Sequence, residues 1–270
     1  MSERTSTTTT TDGVELVVSE RGSGATLLLI PGLGAGRRVF DPLIAELESR
    51  YRTVSYDPRG IGDSDPGDLP LTMPLLAADA AAVIWSTGEA RTHVFGASMG
   101  GAVAQQLAVD HPQRIERLVL AATAPPGPRA VPADPRVTAA LLGKGARTPA
   151  DAYRVACTVL YSVHFQRTHS EFIDEQVRVR AEHPVAARTF RAQLEALRAP
   201  SDVWERLAHL QTPVLIAHGS ADSVIPMENA RLLAGRIKGA RTRWFDGCGH
   251  LFFHERPQES ARVVHEFLGG

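Results

Sequence analysis

The run Val94-Phe95-Gly96-Ala97-Ser98-Met99-Gly100-Gly101 constrains this chain more than any other stretch. Apolar residues lead into a serine set between glycines, and a small-residue helical pattern follows. The run therefore reads as a strand that turns abruptly at Ser98 and continues as a helix. Glycine two positions before and two after the serine lets backbone segments crowd around a strained turn that side chains would obstruct. Such a turn pushes the Ser98 hydroxyl into open space, which makes it a candidate nucleophile.

Three other apolar runs deliver functional groups in the same way. Thr26-Leu27-Leu28-Leu29-Ile30 reads as a buried strand that opens into the loop Pro31-Gly32-Leu33-Gly34. Val214-Leu215-Ile216-Ala217 leads to His218-Gly219-Ser220-Ala221-Asp222, placing a carboxylate on the following loop. Arg243-Trp244-Phe245 leads through Asp246-Gly247-Cys248-Gly249 to His250, just before the last helical pattern. Asp222 is the candidate acid, since Ala121 to Ala124, after the strand Leu118-Val119-Leu120, offers no carboxylate. His250 is the candidate base, with His254 as its rival. An alcohol needs a base to accept its proton as it attacks a carbonyl, and an imidazole can both take and return that proton near neutrality. A carboxylate beside the imidazole fixes its tautomer and stabilises the imidazolium.

Taken together, Gly96-Ala97-Ser98-Met99-Gly100, Asp57-Pro58-Arg59-Gly60-Ile61-Gly62-Asp63-Ser64, His218-Gly219-Ser220-Ala221-Asp222 and Gly247-Cys248-Gly249-His250 stand in an order that resembles the α/β-hydrolase superfamily over nearly the whole chain. The resemblance extends to its carboxylesterase, enol-lactonase and cofactor-free haloperoxidase branches. It implies an oxyanion hole made by the backbone N–H groups of Leu33 and Met99. One departure is visible: Pro31-Gly32 stands where such members commonly carry His-Gly. The implied donor there is a backbone N–H, which Leu33 retains. Asp57 and Arg59 are read as structural, serving local hydrogen bonds and turn geometry.

The expected fold class is α/β, a mostly parallel twisted sheet with helices on both faces and an inserted helical cap. Thr7 to Ser19, centred on Asp12-Gly13, reads as a hairpin. Thr72 to Thr87, Met99 to Asp110 and Pro257 to Leu268 read as helices. From Ala124 to Leu210 the alternation of strand and helix stops, after a proline-rich start. The expectation is thus a core of residues 1–123 and 211–270 with a cap of residues 124–210. Within it, Thr168 and Glu171 have the spacing of a capping box. Tyr153, Tyr161, His164, Phe165 and Trp204, with Leu251, are the candidate lining of a substrate pocket beneath that cap.

Composition excludes several classes. A formal net charge of −1 over 270 residues argues against a nucleic-acid partner. No apolar run approaches the roughly 20 residues of a membrane span. The polar, threonine-rich start does not resemble a secretory signal, which points to a cytoplasmic setting. Cys157 and Cys248 lack metal-ligand spacing and are read as reduced. The resulting expectation is a cofactor-free, metal-free serine hydrolase acting on an ester or lactone of a small, fairly apolar molecule. Hydrolysis of a carbon–carbon bond in a diketone-like substrate, or non-hydrolytic tailoring or ligand binding on the same scaffold, are the alternatives. The sequence does not speak to oligomeric state.

Overall fold

The computed structural model describes residues 3–68 and 70–269. Eight strands form one sheet: β1 (Arg4–Thr9), β2 (Glu15–Arg21), β3 (Ala25–Ile30), β4 (Tyr51–Tyr56), β5 (Thr92–Ala97), β6 (Ile115–Ala121), β7 (Val214–Gly219) and β8 (Arg241–Phe245). Their spatial order is β1-β2-β4-β3-β5-β6-β7-β8. β2 runs antiparallel to both β1 and β4, and every other pairing is parallel. The interior strands β5 and β7 are buried along their whole length. This is the expected state of a parallel strand covered on both faces.

Helices connect the strands: α1 (Asp41–Leu47), α2 (Met73–Ser86), α3 (Met99–Asp110), then α4 (Pro135–Leu141), α5 (Pro149–Leu160), α6 (Val163–Thr168), α7 (Ser170–Glu182), α8 (Ala187–Arg198) and α9 (Val203–Leu207) between β6 and β7, and finally α10 (Met227–Arg236), α11 (Phe252–Glu255) and α12 (Pro257–Leu268). Local chemistry sets several of their starts. Thr72 Oγ1 accepts from the Leu75 N–H at the head of α2, and Thr148 Oγ1 accepts from Asp151 at the head of α5. Proline occupies the first turn of both. The capping box expected at Thr168 and Glu171 does not form. Thr168 is the last residue of α6, and its hydroxyl donates back to the His164 carbonyl at 2.9 Å. The turn at His169 restarts the chain as α7 without a side-chain cap.

Side chains alternate across the sheet, so Leu27 and Leu29 enter one apolar cluster while Leu28 and Ile30 enter the other. The first cluster gathers α1, α11, α12 and the buried faces of α5 to α7; the second gathers α2, α3 and α10. Within the expected cap of residues 124–210, α9 packs differently from the helices before it. Val203, Leu207 and Leu210 are buried in the second cluster beside α3, so α9 packs with the sheet layer and not with α4 to α8. The hairpin forms as expected, with a wider loop than a two-residue turn: Thr9 pairs with Glu15, and only Gly13 takes a positive φ.

Arg59 is structural, as read from the sequence, but its reach is longer than a local turn. Its guanidinium makes paired bonds of 2.6 Å to Asp79 of α2 and of 2.7 Å to Asp12 of the hairpin loop. The side chains of Arg59 and Asp79 are each 1% exposed. Two planar carboxylates on one guanidinium lock hairpin, β4 loop and helix into a single geometry. Removing one partner of such a pair leaves a buried charge uncompensated. Asp79→Ala is therefore expected to lower stability by about 3–5 kcal/mol in urea unfolding. A loss below about 1 kcal/mol, the range of an exposed pair, would contradict this reading.

Candidate active site

The site forms at the carboxyl ends of β3, β5, β7 and β8. Ser98 follows β5 directly and holds φ 55° and ψ −120°, a conformation that L residues rarely adopt. Its N–H donates to the Ala121 carbonyl, and its own carbonyl accepts from Gly101 and from the Thr123 hydroxyl. The two glycines around it are demanded by contact. A Cβ on Gly96 would lie 2.4 Å from the Gly100 carbonyl oxygen, and one on Gly100 would lie 2.0 Å from that of Ile30. The sharp turn thus exists because α3 can press its first turn against the end of β3.

Asp222 and His250 meet through two interlocked loops. The Ser220 N–H donates to Phe245 and the Ala221 N–H to Cys248, both at 2.9 Å. Gly219 permits this approach, since a Cβ there would come within 2.2 Å of the Gly249 carbonyl oxygen. His250 Nδ1 then lies 2.8 Å from Asp222 Oδ2. A carboxylate accepts, so Nδ1 carries the proton and Nε2 is left as a lone-pair acceptor. Asp222 Oδ1 accepts from the Val224 and Ile225 N–H groups at 2.9 Å each, and His218 Nε2 approaches Oδ2 at 3.3 Å while donating to the Ile225 carbonyl. Burial alone would raise the Asp222 pKa. The charge of His250 and the bonds from His218 and His250 outweigh it and bring the value down to about 2. Because this folded value lies below the ordinary carboxylate value, the stabilisation from Asp222 is complete above about pH 4 and is lost as pH falls toward 2.

Ser98 and His250 line one cavity of about 360 Å3, together with Leu33, Met99 and Leu251. Ser98 also borders a second, smaller cavity of about 100 Å3 lined by Thr123, Pro125 and Ala130 among others. The large cavity has the size of a small-molecule site. Among the described residues no acceptor is seen for the Leu33 N–H, and Met99 opens α3, where a first-turn N–H has no helical partner. Leu33 and Met99 thus line the cavity with Ser98, and among the described residues no acceptor is seen for either N–H.

The rival imidazole, His254, is engaged at both nitrogens. His254 Nε2 donates to the Val39 carbonyl at 2.6 Å and Nδ1 accepts from the Tyr161 hydroxyl at 2.9 Å, so neither nitrogen is free. Burial lowers its pKa to about 4.

Of the expected lining residues, Leu251 and Tyr153 face the cavity and four others do not. The Tyr161 hydroxyl is committed to His254, and Phe165 stacks on His169 at 4.2 Å within the helical layer. His164 is exposed on α6. Trp204 sits on α9 between the guanidinium groups of Arg129 and Arg236, on the other side of the sheet from the first apolar cluster. In their place α7 and α8 supply Gln176, Val179, Arg180, Phe190, Leu194 and Leu197.

Three positioning residues escaped the sequence reading. His218, four residues before Asp222, could have been noticed from that spacing. Glu255 accepts from the N–H groups of Gly249 and Ser162 and from the Ser162 hydroxyl, tying the His250 loop to the start of α6. Gln193 of α8 is fully buried and its Oε1 accepts from the Gly34 N–H at 2.8 Å. Nothing in the spacing of Glu255 or Gln193 marks them out.

The family model for the alpha/beta hydrolase fold matches residues 25–257. The chain belongs to the α/β-hydrolase family. Among its α/β-hydrolase relatives, a poly(3-hydroxyalkanoate) depolymerase of Ectopseudomonas oleovorans is 34% identical over 244 residues, 90% of this chain and 83% of that protein. A pimeloyl-[acyl-carrier protein] methyl ester esterase of Aeromonas hydrophila is 30% identical, over 93% of this chain and 98% of the other. The solved enol-lactonase of Burkholderia xenovorans LB400 superposes with a TM-score of 0.84 at 23% identity, covering 98% of this chain and 100% of that one, which shows the shared α/β-hydrolase fold.

The strain at Ser98 generates a stability prediction. Glycine tolerates its dihedral angles while alanine does not, so Ser98→Gly is expected to be about 1 kcal/mol more stable than Ser98→Ala. Thermal and urea unfolding of the two variants check this; equal stabilities would remove the claim of stored strain.

Proposed function

We propose that this protein is a serine hydrolase that cleaves an ester or lactone of a small, fairly apolar molecule through an acyl-enzyme on Ser98. The observation that carries the reading is the 2.8 Å bond from His250 Nδ1 to Asp222 in a cavity whose wall Ser98 shares. That bond leaves Nε2 as the base. The Ser98 Oγ attacks the scissile carbonyl while His250 Nε2 takes its proton, and Asp222 stabilises the imidazolium. The Leu33 and Met99 N–H groups donate to the developing oxyanion, and Met99 does so at the positive end of the α3 dipole. The tetrahedral intermediate collapses as His250 returns the proton to the alcohol oxygen. A water, deprotonated by the same nitrogen, then releases the acid and restores Ser98.

Two relatives at 30% identity or more support ester chemistry, since one is a methyl ester esterase and the other a poly(3-hydroxyalkanoate) depolymerase by name. The apolar residues of the large cavity, Leu141, Leu160, Val179 and Leu194 among them, suit a hydrocarbon portion of the substrate.

Initial rates on a panel of short p-nitrophenyl esters and small lactones, with intact-mass detection of the acyl adduct, test the reading. Ser98→Ala is expected to lower kcat by about 10⁶-fold and Asp222→Asn by about 10⁴-fold, the scale seen for equivalent changes in other serine hydrolases. Retention of a tenth of the wild-type rate by Ser98→Ala would end the proposal. Turnover confined to diketone-like substrates would redirect it to carbon–carbon hydrolysis.

A further inference from the structure

The large cavity contains a cation without a counter-ion. Arg180, on α7, lines it and is half-buried. Among the described residues its guanidinium makes no hydrogen bond and no ion pair. Its nearest recorded partner is the Tyr153 ring, 5.7 Å from the guanidinium carbon. The two carboxylates on the same wall are engaged elsewhere: Asp57 is bound by the side chain and the N–H of Arg37, and Asp63 lies 3.9 Å from Arg37 and is 68% exposed. Burial lowers the Arg180 pKa from its ordinary value, with Tyr153 opposing the shift. A guanidinium remains charged despite this, so a half-buried cation stands in a largely apolar cavity, and among the described residues none of its five donors has a protein acceptor.

We propose that Arg180 is the recognition site for a carboxylate carried by the substrate at a distance from the scissile bond. The proposal rests on the ester-hydrolase reading and narrows its substrate class to half-esters, or lactones bearing a free carboxylate. Geometry places the anion. Arg180 Nη2 reaches down to the loop after β3, where it lies 3.1 Å from the position of a Cβ on Gly34. Gly32 of the same loop lies against Ser98, its Cβ position 3.2 Å from that of Ser98. Two residues of chain span at most about 7 Å, so with these two contacts the guanidinium and the Ser98 side chain lie within about 16 Å of each other, a separation that a hydrocarbon linker between a carboxylate and a scissile carbonyl can bridge. The planar fork of arginine matches a carboxylate in two parallel bonds, which partial burial strengthens. Leu194 and Phe190 enclose the linker.

Two matched ester pairs test this by pH-stat: monomethyl glutarate against methyl pentanoate, with the charge on the acyl side, and 3-acetoxypropanoate against propyl acetate, with the charge on the alcohol side. The wild-type protein is expected to favour the anionic member of at least one pair by about 10- to 100-fold in kcat/KM, the range of a charge-assisted bond. Arg180→Gln is expected to bring that ratio close to one, and Arg180→Lys, which keeps the charge without the fork, to retain part of it. A wild-type ratio near one in both pairs, or a ratio unchanged by Arg180→Gln, overturns the proposal while leaving ester hydrolysis standing. Calorimetric titration of glutarate separates the two failures. If no ester is turned over, the hydrolase reading fails, and glutarate binding that disappears in Arg180→Gln still sustains the anion site. Absence of Arg180-dependent binding in that case overturns it. Circular dichroism of each variant establishes that it is folded, and should Arg180→Gln fail to fold, the Arg180→Lys ratio decides.

Discussion

One buried carboxylate organises the ends of two strands. Asp222 takes N–H donors from Val224, Ile225, His218 and His250, and each bond fixes a different piece of backbone or ring. An ionised group so far from water persists only when its acceptor sites are filled. The donors here come from its own loop, from the strand before it and from the loop after β8. Asp222 is therefore held as an anion near neutrality, and its charge in turn fixes the His250 tautomer. The free Nε2 is a consequence of satisfying a buried charge, and the chemistry proposed for His250 follows from that.

The opposite wall is made by backbone contact. Close approach of Gly100 to the β3 carbonyls brings the start of α3 under the loop that carries Leu33. The same approach forces Ser98 into a strained conformation, opposed by the bonds its N–H and carbonyl make to Ala121, Gly101 and Thr123. Strain at one residue is small beside the burial of the parallel strands around it. The site thus combines a rigid sheet edge with the start of α3 and the loop that carries Leu33, and the oxyanion stabilisation proposed for the two N–H groups would draw on both.

What was legible in the sequence tracks how local the cause was. The Ser98 turn, the loop positions of Asp222 and His250, the Thr72 cap and the last helix from Pro257 all follow from a few neighbouring residues, and the structure places them accordingly. That both His254 nitrogens are engaged needed coordinates, because only tertiary packing brings Val39 and Tyr161 to that ring. The lining of the cavity was least legible. Aromatic content suggested Tyr161, Phe165 and Trp204, yet large apolar rings also fill the helical layer or cover α9, and sequence does not say which face of a short helix meets the sheet. Arg180 and Gln193 sit in unremarkable helical stretches, and only tertiary packing brings them over Gly34.

The segment between β6 and β7 is fastened unequally, and this bears on how a ligand reaches Ser98. At one end Glu255 bonds both Ser162 and Gly249, and the Leu251 N–H donates to the Leu160 carbonyl at 3.0 Å. At the other end a single recorded bond, from the Gly34 N–H to Gln193, joins α8 to the loop after β3. Gln193 Nε2 is buried without an acceptor among the described residues, which subtracts from what that contact contributes. Displacing α8 from that loop breaks this one hydrogen bond, worth about 1 kcal/mol, whereas displacing the start of α6 breaks several, some of them to a carboxylate. The weakly fastened end is also the one that carries Arg180. An anionic group bound at Arg180 would add a tie between α7 and the loop after β3, beside the one that Gln193 supplies from α8.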